Sequence, residues 1–241
     1  ASLASRAAYA CSPTAVAQAV RALWMIPMGP IQNVITVIER AGIVVERADF
    51  ESPKISAVSN GPVDGAPALI VLNTNLLPDR DRFTLAHELG HLVMHSGGEL
   101  PVDGERQADE FAAEFLMPAR EVRSQLGSLN LEKAMQLKSI WKVSAGVVIR
   151  RSKDLGQIDD SRYRSLNVQI SQRGWRKAEP QTFERDTIAV TPGLIEAHLG
   201  PLGYKPEELA RVVGLLDDEF AETYDWHVTP EPARRHLHVV S

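Results

Sequence analysis

Apolar residues recur at helical spacing through several stretches of the chain and at strand spacing in a few. Residues 14 to 25 are rich in Ala and Val at helical intervals, and Pro27 and Pro30 end that stretch. From Ile31 to Ala41 a second helix is predicted: Ile31, Val34, Ile35 and Ile38 fall on one face, and Gly42 terminates it. Three strand-like segments follow, marked by Ile43 to Val45, Ile55 to Val58 and Ala68 to Leu72. Turn chemistry at Ser59-Asn60-Gly61 and Asp64-Gly65 predicts a hairpin between the second and third. Helices are expected from about Asp81 to His95, closed by Gly97-Gly98, and from about Glu105 to Leu116, closed by Pro118. Leu131 to Leu155 reads as two helices meeting near Val143-Ser144. Beyond Asp186 come helical pieces, with Pro206 at a helix start, and a tail punctuated by prolines. These elements predict an α+β fold, a small antiparallel or mixed sheet packed on two central helices with an additional helical C-terminal region.

Composition narrows the class. The 241 residues suffice for one large domain or two small ones, and 44% apolar with 24% charged residues is ordinary for a globular protein. No apolar run approaches the roughly 20 residues a membrane helix needs. A net charge of -5 gives no global pull towards nucleic acid. A single cysteine, Cys11, excludes an internal disulfide and points to a reducing, cytoplasmic compartment. Ala8-Tyr9-Ala10-Cys11 lacks the charged start and apolar core of a signal peptide.

The candidate chemistry sits on the helix predicted from Asp81. His87-Glu88-Leu89-Gly90-His91 places two imidazoles four residues apart, on one helical face, where both can reach a single ion. Glu88 is rotated from that axis yet close enough to act as a general base on water at the ion. Leu85, Leu89, Leu92 and Val93 give the helix a separate apolar stripe, so burying it leaves the histidines facing a cleft. Such a motif also arises by chance on ordinary amphipathic helices, so the third ligand matters.

Catalytic zinc takes three protein ligands and keeps one position open. The next helix offers Glu105, Asp109, Glu110 and Glu114. Glu105 and Asp109 lie one turn apart on a face away from Phe111, Phe115 and Leu116, which makes Glu105 the expected ligand. Asp109 is then expected to accept the outer N–H of a ligating histidine, and Glu110 and Glu114 to form a solvated face. His95, one turn beyond His91, is read as packing behind the ligands, since a fourth protein ligand would close the site. Two His and a carboxylate also suit ferrous oxygenases; Glu88 beside the first His favours zinc and hydrolysis. Arg82 and Tyr163 are the candidates for stabilising an oxyanion, and strand Ala68 to Thr74 is expected to be an edge that pairs with substrate.

The sequence around these positions resembles a known family. Arg82-Phe83-Thr84-Leu85-Ala86-His87-Glu88-Leu89-Gly90-His91 with His95, then Glu105-x-x-Ala108-Asp109-x-Phe111-Ala112-Ala113-Glu114-Phe115-Leu116-Met117-Pro118, is similar to the ImmA/IrrE metallopeptidases. Ser144, Arg150-Arg151 and Gly174-Trp175-Arg176 to Glu179-Pro180 extend the likeness, which covers roughly residues 30 to 180. The resemblance implies a gluzincin-like fold whose sheet packs on zincin active-site helices. It also implies Zn2+ on His87, His91 and Glu105, and Glu88 as base. The implied function is cleavage of a protein substrate, a DNA-binding repressor or an antitoxin, which switches on damage-response or mobile-element genes. Asp109 stands where the family often has Asn; both accept a hydrogen bond.

The expected organisation is a helical segment over residues 1–30, a metallopeptidase domain over 31–126, a helix-turn-helix-like region over 127–180, and a helical region with tail over 181–241. By the resemblance, Ser2-Leu3-Ala4-Ser5 looks like the linker after an upstream Xre-type DNA-binding module. DNA contact would run only through such a module or through residues 131–155. That segment carries six basic side chains (Lys133, Lys138, Lys142, Arg150, Arg151, Lys153) against Glu132 and Asp154. Its apolar Ile140, Trp141, Val147, Val148 and Ile149 look instead like core, and the segment then covers the peptidase or receives its substrate. The competing functional class is a transcription regulator that senses a ligand and no longer cleaves; an intact Glu88 argues against that decay. A structural zinc domain is disfavoured by the open fourth position. His198, His227, His236 and His238 show no partner pattern.

Overall fold

A computed structural model describes residues 12–96 and 100–224. The expectations for Ser2 to Ser5, Cys11, the Gly97-Gly98 helix stop, His227, His236, His238 and the proline-punctuated tail lie outside the described residues. The chain divides into two compact units, residues 1–189 and 190–241. The fold is α+β, with eleven helices and one three-stranded sheet among the described residues. No helix there is long and apolar enough to cross a membrane.

The first unit opens with α1 (Pro13–Leu23). Ser12 caps it by accepting from the Ala15 N–H, and Pro13, whose missing N–H costs nothing at a helix start, fixes its first turn. Helix α2 (Val34–Arg40) begins three residues later than the apolar pattern implied, because Asn33 is extended and accepts from the Thr36 N–H. Its buried Val34, Ile35 and Ile38 are those expected, and Gly42, at φ +84°, turns the chain out of it.

Three strands follow: β1 (Val44–Ala48), β2 (Ala57–Asn60) and β3 (Leu69–Asn73). The order is β1-β3-β2, with β1 parallel to β3 (Val44 beside Leu69) and β2 antiparallel to it (Ala57 beside Leu72). The expected hairpin is therefore present. The expected edge is not: β3 is the central strand. Its unbroken Leu69-Ile70-Val71-Leu72 is the mark of a strand flanked and covered on both sides, and Ile70 and Leu72 are fully buried. β1 and β2 are the edge strands, and β2 is the one that lines the cleft beside the histidines.

Helix α3 (Pro78–Met94) carries the histidine motif. Asp79 and Asp81 sit in its first turn, where negative charge complements the helix dipole, and both are buried. Asp79 pairs with Lys138 at 2.6 Å, while Asp81 faces Arg47 at 2.7 Å and Arg185 at 3.6 Å. Burial pushes the Asp81 carboxyl pKa up, outweighing Arg47 and Arg185. Leu85 and Leu89 form the buried stripe, with Leu92 and Val93 packed beside them.

Helix α4 (Gly104–Leu116) lies against α3. Gly90 permits the approach: a Cβ there would stand 3.1 Å from the Phe111 ring and 3.3 Å from the Ala108 Cα. Phe111 and Phe115 stack at 5.7 Å between centroids, fully buried, each worth about 1.5–3 kcal/mol by area removed from water. Behind them come α5 (Ala119–Leu126), α6 (Leu131–Trp141), α7 (Ala145–Asp154) and α8 (Asp160–Gln172). One hydrophobic core runs from α1 to α8. Glu114, expected on a solvated face, is fully buried: it pairs with Arg151 and accepts from Gln18 (2.8 Å) and the Ala119 N–H. It faces inward because α1 and α7 close over the back of α4.

The second unit holds α9 (Val190–Leu199), α10 (Pro206–Val213) and α11 (Asp217–Thr223). Leu209, Ala210 and Phe220 form its small core.

Candidate metal centre

His87 and His91 project from α3 at helical spacing of four, and their Nε2 atoms lie 3.0 Å apart. Glu105, from the first turn of α4, brings Oε2 to 3.3 Å of His87 Nε2 and Oε1 to 3.4 Å of His91 Nε2. Donors about 2.0–2.1 Å from a tetrahedral ion stand about 3.3 Å from one another, so this spacing fits a small divalent cation. Of the four acidic residues offered by α4, Glu105 alone joins the two imidazoles as a possible ligand among the described residues.

The outer ring nitrogens are also engaged. His87 Nδ1 lies 2.9 Å from Asp109 Oδ1, where the carboxylate can only accept. His91 Nδ1 meets His95 Nδ1 at 3.0 Å, and His95 Nε2 meets Gln107 Oε1 at 3.0 Å. One tautomer assignment satisfies the whole chain: His87 donates to Asp109, His91 to His95, and His95 to Gln107. Both inner Nε2 atoms then present lone pairs to each other and to a carboxylate, an arrangement that calls for a cation between them.

Electrostatics agree. Burial works against a charged His87, but the Asp109 hydrogen bond and charge, with Glu88 and Glu105, outweigh it and raise its pKa. At His91, burial and the neighbouring His87 lower the pKa, against Glu105 and Glu88. The Glu105 and Asp109 side chains are 72% and 59% exposed, so the centre opens to solvent on the α4 side.

Glu88 lines a cleft of about 620 Å³ together with β2 and Leu100. Ser59 Oγ donates to Glu88 Oε2 at 2.5 Å. This contact was not foreseen, because Ser59 reads as a turn residue; the strand continues through Asn60 and carries its hydroxyl to the cleft. The oxyanion candidates stand elsewhere. Arg82 is buried and donates to the carbonyls of Ile31 and Gln32 and to Asp186. Tyr163, a residue of α8, lies beneath Lys153 (4.7 Å).

The basic side chains of the helix-turn-helix-like segment have partners within the chain. Lys138 and Arg151 are buried in ion pairs, and Lys153 and Arg150 pair with Asp160 and Asp154. Lys133 donates to the Gly127 carbonyl and Lys142 to that of Gln32. Glu179, from the stretch that carried the family likeness, accepts from Lys138 and from the Ala145 and Gly146 N–H groups at the start of α7.

A sheet whose β2 edge lines the cleft, a helix bearing two imidazoles and a glutamate, and a second helix supplying a carboxylate have the arrangement of a metal-dependent hydrolase centre. Residues 38–153, from α2 to the end of α7, match a peptidase family model described as an IrrE N-terminal-like domain. Over this segment, a little under half of the chain, the match supports a domain of the ImmA/IrrE metallopeptidase kind. No curated protein matches it.

Proposed function

We propose that the protein is a zinc-dependent endopeptidase that cleaves an extended segment of a regulatory protein such as a DNA-binding repressor or an antitoxin. The observation that carries the activity is the convergence of His87, His91 and Glu105 within 3.4 Å of one another, with Glu88 beside them in an open cleft. His87, His91 and Glu105 would hold the zinc ion, which when bound would act as a Lewis acid towards the scissile carbonyl and make water more acidic. Glu88, oriented by Ser59, takes the proton from the attacking water and returns it to the leaving amine. Asp109 and His95 hold the two ligand imidazoles in the tautomer that frees Nε2. The free edge of β2 pairs with the substrate backbone. The substrate class rests on the family, and a chain with one cysteine suits the reducing compartment where such regulators reside.

The test is Glu88→Gln, which keeps size and polarity but cannot accept a proton near neutral pH. The zinc-loaded variant is expected to retain its metal and to cleave peptide or protein substrates about 10²-fold or more slowly. Cleavage near the wild-type rate would assign proton transfer to another group.

A further inference from the structure

The cleft does not end at the metal centre. Ala57, His87, Glu88 and Glu105 are shared between the 620 Å³ cleft and an adjoining one of about 500 Å³, which also reaches Lys54, Phe83 and Thr84. Phe83 and Thr84 in turn border a third cavity of about 460 Å³, walled by Arg80, Asn167, Trp175 and Arg176. Along α3, Arg80, Thr84, His87, His91 and His95 follow at spacings of three or four, so one helical face floors the whole trough. At about 1.5 Å per residue that face runs about 22 Å, room for six or seven residues of extended chain at about 3.3 Å each.

The far cavity has a defined chemistry. Arg80 and Arg176 are exposed, and among the described residues neither faces a carboxylate: Arg80 donates to the Arg176 carbonyl, and Arg176 to Ser171 Oγ. Glu179, the acidic residue on the wall, already has Lys138 and two α7 amides on its oxygens. Trp175, half-buried, offers a flat apolar wall beside these guanidinium groups, with Arg173 5.7 Å from its ring. Lys54 adds positive charge on the approach.

We propose that this cavity is a specificity subsite, in which Arg80 and Arg176 bind an acidic side chain of the substrate polypeptide about three residues from the scissile bond. The spacing follows from the seven-residue step along the helix from Arg80 to His87, about 10 Å, divided by the rise of an extended chain. The proposal rests on the peptidase reading above and names the kind of sequence that centre selects.

The test uses the full chain loaded with zinc and a library of acetylated, amidated twelve-residue peptides, with cleavage products identified by mass spectrometry. Asp and Glu are expected to be enriched three or four residues to one side of the cut. Matched Glu and Gln peptides are expected to differ about 3- to 10-fold in kcat/KM, the range for an exposed to a bidentate ion pair. Arg80→Glu with Arg176→Glu, two surface changes whose folding is checked by thermal melting, is expected to move the preference to Lys. Cleavage without acidic enrichment, or a preference that survives charge reversal, overturns the subsite and leaves the peptidase reading standing. No cleavage of any peptide by the zinc-loaded wild type overturns both.

Discussion

Asp109 and His87 show how one contact sets the behaviour of the centre. Burial alone would keep His87 neutral, but Asp109 reverses that and raises its pKa in the metal-free protein. A ligating imidazole must be neutral, so protons compete with the metal as pH falls through the raised value, starting above the ordinary histidine range near 6.5. Asp109→Ala is expected to have two separable effects. Metal affinity at pH 8 should fall about 10- to 100-fold, because the imidazole loses its orienting partner. The pH at which affinity starts to fall from its plateau should move down, because His87 becomes easier to deprotonate. Metal titrations of both proteins across pH 5 to 8 check this; an unshifted pH edge would mean that Asp109 does not govern His87. Helical spacing in the sequence put His87 with His91 on one face and Glu105 with Asp109 on another, and the apolar Phe111 and Phe115 singled out Glu105 from Glu110 and Glu114. Ser59 and Gln107 were not legible in this way. Both contact the centre through pairings fixed by how β2 and α4 dock on α3, and no local pattern encodes that docking.

Elements, in turn, are held in register by buried charge as much as by apolar packing. Glu114 ties α4 to α1 through Gln18, to α5 through the Ala119 N–H and to α7 through Arg151, while Arg21 of α1 donates to the Phe115 carbonyl at 2.7 Å. Removing one member of such a cluster leaves an uncompensated buried charge, which typically costs about 3–5 kcal/mol. Glu114→Ala is accordingly expected to lower stability by about that much in urea unfolding, with metal affinity of the folded protein unchanged. A loss below about 1 kcal/mol, or a direct loss of metal, would contradict this placement. The sequence misled here for a physical reason: an acidic residue on an amphipathic helix looks solvated unless the partners that cover it are known, and Arg151 lies 37 residues away. The same limit explains β3, whose apolar run identified a strand but not its neighbours. Helices α3 and α4, by contrast, were readable nearly to their ends, because the motif, the apolar stripe and the closing Pro118 all agree.

At the scale of the molecule, the first unit contains everything the proposed chemistry uses. The sheet presents β2 as an open edge, α3 and α4 cross closely at Gly90, and α6 to α8 pack behind them in one continuous core. Residues 127–180, which on sequence alone read as a helix-turn-helix-like region, bury Lys138 and Arg151 in ion pairs and lend Trp175 and Arg176 to the trough. The proposed chemistry requires one metal held by three side chains from two helices. The direct measurement is elemental analysis of protein reconstituted with zinc and dialysed. The wild type is expected to carry about one zinc per chain, and Glu105→Ala and the double variant His87→Ala, His91→Ala almost none. Stoichiometric zinc in the double variant would contradict the account.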